Sequence, residues 1–99
     1  MARQVVWNKR AAQKFDEIIN YLEENVSIEA AIKFVKDVDE LIKKVNKYPE
    51  IGRRSKTKKT VRQYRIDKHR KLYYKKSGSK LVIVYIFDQR QNPSLNPYQ

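Results

Sequence analysis

The sequence predicts an α+β fold of two layers, with an N-terminal strand and a helical hairpin packed on an antiparallel sheet in the order β-α-α-β-β-β. Three observations predict it. Apolar residues recur at helical spacing between positions 11 and 45 with one short break. The second half carries three short β-prone segments separated by turn residues. Residues 81–87 are apolar at every position, which suits a central strand covered on both faces.

Taken in order, Arg3 to Trp7 form a short β-prone segment, and Asn8 follows as a helix N-cap whose side-chain oxygen can accept from first-turn amides. Ala11, Phe15, Ile18, Ile19 and Leu22 then recur at helical spacing. Asn25 and Val26 break the pattern, and Ser27 restarts it as a second N-cap with Glu29 in the first turn. Ala31, Phe34, Val35, Val38, Leu41, Ile42 and Val45 make one apolar stripe, and Tyr48-Pro49 ends it because proline disfavours helical geometry before it. So short a link makes the two helices a hairpin. Residues 53–60 carry no apolar side chain and read as a loop. Strands are expected at 61–66, 69–75 and 81–87, with Gly78 in the turn before the last. The segment 90–99, with Pro93 and Pro97, reads as irregular chain.

The chain has 99 residues, which suits a single domain spanning 1–99. No run approaches the roughly 20 apolar residues that cross a membrane, and the N-terminus lacks the apolar stretch of a secretory signal. Cysteine is absent, so there is no disulfide framework or thiolate metal site, and a reducing cytoplasm is the expected location. The net charge is +12, and it is segregated. Residues 1–50 hold nine basic and nine acidic side chains, whereas residues 51–99 hold fourteen basic and two acidic ones, Asp67 and Asp88. Small domains need a charge of only about 2–8 for solubility, so this excess points to a polyanion or an acidic partner. The open side of the sheet is expected to be groove-like and basic.

Enzyme constellations are scarce. Two glycines cannot make a phosphate loop, and one histidine excludes a serine–histidine–acid triad and any spaced His pair for a metal. No metal and no cofactor are expected. What remains is arginine, lysine and tyrosine. Guanidinium forks grip phosphates, and bases stack on tyrosine rings. The candidates for nucleic-acid contact are Arg53, Arg54, Lys56, Lys58, Lys59, Tyr64, Arg65 and Lys68. Arg70 lies inside an expected strand and Arg90 just beyond the central one, positions at which a sheet can build a precise anion site. His69 precedes Arg70, and strand neighbours point to opposite faces, so His69 is read as a packing or surface residue.

The helical hairpin, the break Tyr48-Pro49-Glu50-Ile51-Gly52-Arg53, the strand Val61-Arg62, the run His69-Arg70-Lys71-Leu72-Tyr73 and the end Phe87-Asp88-Gln89-Arg90-Gln91-Asn92-Pro93 together resemble the RelE/ParE superfamily of bacterial toxins. The resemblance covers almost the whole chain and implies the toxin of a type II toxin–antitoxin module, plasmid stabilization and growth inhibition included, with a cognate acidic antitoxin as partner. RelE-like members are endoribonucleases that cut mRNA on the ribosome without metal; ParE-like members inhibit DNA gyrase by binding. Under the first reading, the resemblance makes Arg70, Arg90, Arg62 and Tyr98 the catalytic candidates. Arg62 matches an upstream basic position if the intervening loop is one residue shorter, and Tyr98 is the nearest tyrosine to a C-terminal one expected at Asn96. A second upstream lysine would fall at Tyr64. Arginine stays protonated at neutral pH, so Arg62 is a poor substitute for a lysine base. The incomplete set is compatible with the gyrase branch. Charge alone also allows a non-catalytic basic nucleic-acid-binding module.

Overall fold

The computed structural model describes residues 3–90 and 95–98. Its elements are β1 (Gln4–Trp7), α1 (Lys9–Asn25), α2 (Ile28–Lys47), a single 3-10 turn (Pro49–Ile51), β2 (Arg53–Arg54), β3 (Arg62–Arg65), β4 (Arg70–Ser77) and β5 (Lys80–Asp88). The strands form one sheet in the order β1-β5-β4-β3-β2.

Both helices start where their caps stand. The Asn8 side chain accepts from the Ala11 amide at 2.8 Å, and the Ser27 hydroxyl accepts from the Ala30 amide at 3.0 Å. Six of the seven stripe residues on α2 are buried, while Val35 stays 39% exposed. They meet Ala11, Ile18 and Leu22 of α1 and Leu72, Tyr74, Leu81, Ile83 and Ile86 of the sheet in the main core. Trp7, Phe15 and Phe34 form a relay of rings from β1 through α1 to α2, with centroids 4.9 and 5.6 Å apart.

The sheet differs from the expected antiparallel one in two respects. β1 pairs parallel with β5, so the sheet is mixed. The whole helical hairpin separates β1 from the later strands in the chain, so no tight turn imposes an antiparallel partner on it. The stretch expected as a loop also contributes β2, two exposed arginines on the sheet edge paired with Arg62 and Gln63. An edge strand faces water and needs no apolar residue, which is why hydropathy misses it.

Between β4 and β5 the register shifts at Tyr73/Tyr74, with Tyr73 opposite Tyr85 and Tyr74 opposite Ile83. Val84 is the extra residue of a bulge, and it joins Tyr85 on the side away from the helices. Without that insertion the alternation of β5 would send Ile86 and Asp88 to the wrong face. The β4–β5 turn holds Gly78 at φ 60°, a conformation that glycine adopts without cost.

The side away from the helices is not the basic groove expected. Its centre is a second apolar cluster of Val61, Tyr73, Val84, Tyr85 and Phe87, against which Val82 and Tyr98 pack. A strand as apolar as β5 needs cover on both faces, and the C-terminal segment supplies it. The Tyr98 ring lies 5.5 Å from Tyr73 and 6.2 Å from Tyr85. Ser55 donates to the Tyr98 carbonyl at 2.6 Å, and Asn96 donates to the Tyr73 hydroxyl at 2.8 Å. Pro93, with Gln91 and Asn92 of the family-like run, lies outside the described residues.

Candidate functional site

Arg70 opens β4 and faces the helices, because its cross-strand partner is Asp88 and the next residue of the same face is the core Leu72. It is 8% exposed. A buried guanidinium must be paired, and three groups surround this one. Asp67 accepts from Nη1 at 3.2 Å, Asp88 Oδ2 lies 3.8 Å from Nε, and the Phe34 ring lies 5.4 Å from the guanidinium carbon. Asp67 also shapes the turn that delivers Arg70, since its Oδ1 accepts from the amides of His69 and Arg70, each at 2.9 Å. His69 contributes its backbone to the site, and its carbonyl accepts from the Gln89 amide.

Arg90 joins Arg70 through the shared carboxylate of Asp88. Its Nε donates to Asp88 Oδ1 at 3.0 Å and its Nη2 to Oδ2 at 2.6 Å, while its backbone amide also donates to Oδ1 at 2.9 Å. This clamp holds the Asp88 carboxyl below the usual carboxylate range, with the Arg90 side-chain hydrogen bonds the largest cause, and raises the Arg90 guanidinium in turn. Lys14, Glu17, Ile18 and Tyr21 of α1, spaced at helical intervals, close a hollow of about 490 Å³ over Arg70, Asp88 and Arg90.

The other catalytic candidates stand elsewhere. Arg62 Nη1 donates to the carbonyls of Glu50 at 3.2 Å and Gly52 at 2.8 Å, tying the 3-10 turn to β3. It lines a separate hollow of about 460 Å³ with Arg54, Lys59 and Lys76. Tyr98 belongs to the apolar cluster on the far side of the sheet. The structure therefore brings Arg70 and Arg90 together and leaves Arg62 and Tyr98 apart from them and from each other.

The nucleic-acid candidates divide similarly. Arg53, Tyr64, Arg65 and Lys68 line a third hollow of about 800 Å³ at the β3 edge, beside Asp67 and Lys71. Arg65 and Lys71 are direct cross-strand partners, a like-charge pairing that costs stability. The Lys71 ammonium is accordingly pushed below the ordinary lysine range, first by burial and then by Arg65 and Arg53. Lys56 and Lys58 are exposed on the loop after β2. Tyr64 faces α2, where Lys44 donates to its hydroxyl at 2.9 Å and lies 4.9 Å from its ring centre.

Sequence reasoning did not assign Asp67 and Asp88 a role, although both were legible as the two acidic residues of a basic half. Lys71 and Lys14 carried no comparable signal. Among the described residues no group of three or more His, Asp or Glu side chains could hold a metal, and no helix is long and apolar enough to cross a membrane.

Residues 5–93 match the model of a family described as ParE toxin of type II toxin-antitoxin system, parDE. No curated protein matches. Among solved structures, a chain of a chromosomal ParDE TA system from P. aeruginosa superposes with a TM-score of 0.74 at 22% identity, covering 88% of this chain and 96% of that one. A YoeB/ParE toxin from Agrobacterium tumefaciens gives 0.65 at 15% identity, with 86% and 96% covered. The YoeB dimer from Staphylococcus aureus gives 0.62 at 16% identity, with 86% and 94% covered. At such identities these likenesses concern the fold.

Proposed function

This chain belongs to the ParE toxin family of type II toxin–antitoxin systems, and from that premise we propose that it arrests growth by binding its target, in the manner of gyrase inhibition, without cutting mRNA. Membership makes it the toxin of a module with an antitoxin partner, and it replaces the reading of a bare nucleic-acid-binding module.

One observation carries the choice of mechanism: the side chains an RNA-cutting reading needs do not converge on one hollow. Cleavage through the ribose 2′-hydroxyl requires a group that takes its proton, positive charge on the phosphorane, and a donor for the leaving oxygen. Arg62 is spent on two backbone carbonyls and cannot act as a base. Tyr98 packs among aromatic rings. Arg70 is already paired with Asp67 and Asp88, and Arg90 with Asp88. Binding makes no such demand, since it needs only a shaped and charged surface. We further propose that the antitoxin is acidic where it covers the cationic half of the chain, and that both act in the cytoplasm.

The test is induction of the chain alone in bacteria, followed by two assays. Growth should stop, messages should stay intact, and purified protein should inhibit supercoiling by DNA gyrase. Ribosome-dependent cuts in mRNA with unimpaired supercoiling would overturn the proposal. Uninhibited growth with soluble, folded protein would overturn it as well.

A further inference from the structure

Lys71 stands where a cation is least welcome. The Ile66 amide donates to the Arg70 carbonyl at 2.9 Å, so the next pair of the ladder, Arg65 and Lys71, is of the non-hydrogen-bonded kind, in which side chains stand closest. Arg53 lies opposite Gln63, two residues from Arg65 on the same face, and so neighbours Arg65 diagonally. Three cations thus share one face of three adjoining strands, and with Lys68 they line the hollow of about 800 Å³. The carboxylate in that hollow is engaged elsewhere: Asp67 gives Oδ1 to the amides of His69 and Arg70, and Oδ2 to the Arg70 guanidinium. Guanidinium groups keep their protons at neutral pH, whereas an ammonium can give its own up. The repulsion therefore falls on Lys71, which is half-buried as well. Lys33, Lys43 and Lys76 are in the opposite position, since they face Asp37, Asp39 and Glu50.

We propose that Lys71 is an acylation site, that its donor is an acyl phosphate, and that Arg65 and Arg53 hold the donor's phosphate while the amine attacks. In an acyl phosphate a single oxygen separates the anion from the electrophilic carbon, so a lysine directly opposite a guanidinium meets both ends at once. The ammonium first gives a proton to water, a loss that its cationic neighbours favour. The Nζ lone pair then bonds to the acyl carbon, and the bond from that carbon to the bridging oxygen breaks. Phosphate leaves with the electron pair and takes up the surplus proton of the nitrogen. The product is a neutral amide, so the like-charge pair with Arg65 is gone and the hollow has lost one of its cations. Relief of the repulsion thus adds to the reactivity of the donor.

The inference is independent of the toxin reading, and its test uses the purified chain. The folded protein is incubated with acetyl phosphate at neutral pH, then unfolded, and its remaining amines are capped with deuterated acetic anhydride. Mass spectrometry reads the fraction acetylated at each lysine over time. Lys71 should react about tenfold faster than Lys33, Lys43 and Lys76, the equivalent of one charge-assisted contact to the donor. Inorganic phosphate should slow Lys71 and leave the other three unchanged, because it competes for Arg65 and Arg53. A neutral acetyl ester carries no anion to hold, so its reaction at Lys71 should be indifferent to added phosphate. Arg65→Gln, at an exposed position, should bring the Lys71 rate down to that of the ion-paired lysines and raise the urea midpoint, since it removes both the anchor and the repulsion. Equal rates at the four lysines with acetyl phosphate overturn the proposal. A Lys71 rate unchanged by phosphate or by Arg65→Gln overturns the role of the arginines, and a lowered midpoint in Arg65→Gln overturns the repulsion.

Discussion

Replacing Tyr74 by phenylalanine removes one oxygen from the joint that carries β2. The Tyr74 side chain is 1% exposed, and its hydroxyl accepts from the Gly52 amide at 3.0 Å and donates to the Pro49 carbonyl at 2.8 Å. Phenylalanine leaves two buried backbone groups without partners, at about 1–3 kcal/mol each, so a net loss of about 2–4 kcal/mol is expected. With a urea dependence of about 2 kcal/mol per molar, the unfolding midpoint should fall by about 1–2 M. The neighbouring glycine gives a cross-check. A Cβ on Gly52 would lie 2.4 Å from the Tyr74 hydroxyl and 2.8 Å from the Gln63 carbonyl oxygen. Gly52→Ala must therefore be destabilising alone, because the carbonyl belongs to the sheet and cannot yield. In the Tyr74→Phe background the nearest obstacle is gone, so the double variant should lose at least about 1 kcal/mol less than the sum of the two. Urea unfolding by circular dichroism measures all three, and hydrogen exchange at the Gly52 amide should accelerate in Tyr74→Phe. A loss below about 0.5 kcal/mol for Tyr74→Phe, or strict additivity, would refute the account.

Asn8→Ala and Ser27→Ala should each cost about 1 kcal/mol in urea unfolding, since each removes the acceptor of an orphan first-turn amide. Burial pushes the phenols of Tyr73 and Tyr74 above the ordinary tyrosine range. Unfolded tyrosine loses its proton near about pH 10, so stability should be full below that pH and fall as pH rises further; a flat alkaline profile contradicts this. Asp88 behaves in the opposite sense. Its depressed folded value means that its contribution is present above about pH 4 and lost on acidification, and Asp88→Asn should flatten that limb of a pH series of unfolding curves. Ser55→Ala removes a buried donor to the Tyr98 carbonyl and so loosens the docked segment 95–98, and exchange of the Tyr98 amide, which donates to Asn96 Oδ1, should speed up about tenfold through easier local opening.

The helices were legible because every determinant is local. Asn8 and Ser27 cap, Tyr48-Pro49 stops, and the apolar spacing names the buried face. β5 was legible from composition, and the need for cover on its second face followed. What covers it did not, since no local rule links Tyr98 to Tyr73 and Tyr85 across the fold. Parallel pairing of β1 is likewise a property of topology, and β2 is an edge whose exposed arginines resemble any charged loop. The candidate site was half legible. Arg70 and Arg90 were singled out by their strand positions and do share a hollow. Their orientation toward the helices depends on the Val84 bulge and on Asp67 and Asp88, whose effect appears only when β4 and β5 are laid side by side. Arg62 and Tyr98 were carried by resemblance, and side-chain contacts that no alignment of types encodes hold them elsewhere.

The parallel pairing of Gln4 with Lys80 sets the timing of the molecule's appearance. β5, which joins β1 to β4, is the last of the five to leave the ribosome, and until it arrives β1 has no partner and the helix-side core lacks Leu81, Ile83 and Ile86. A chain translated only as far as β4 therefore lacks much of its main core, and the complete fold waits for the strand made last.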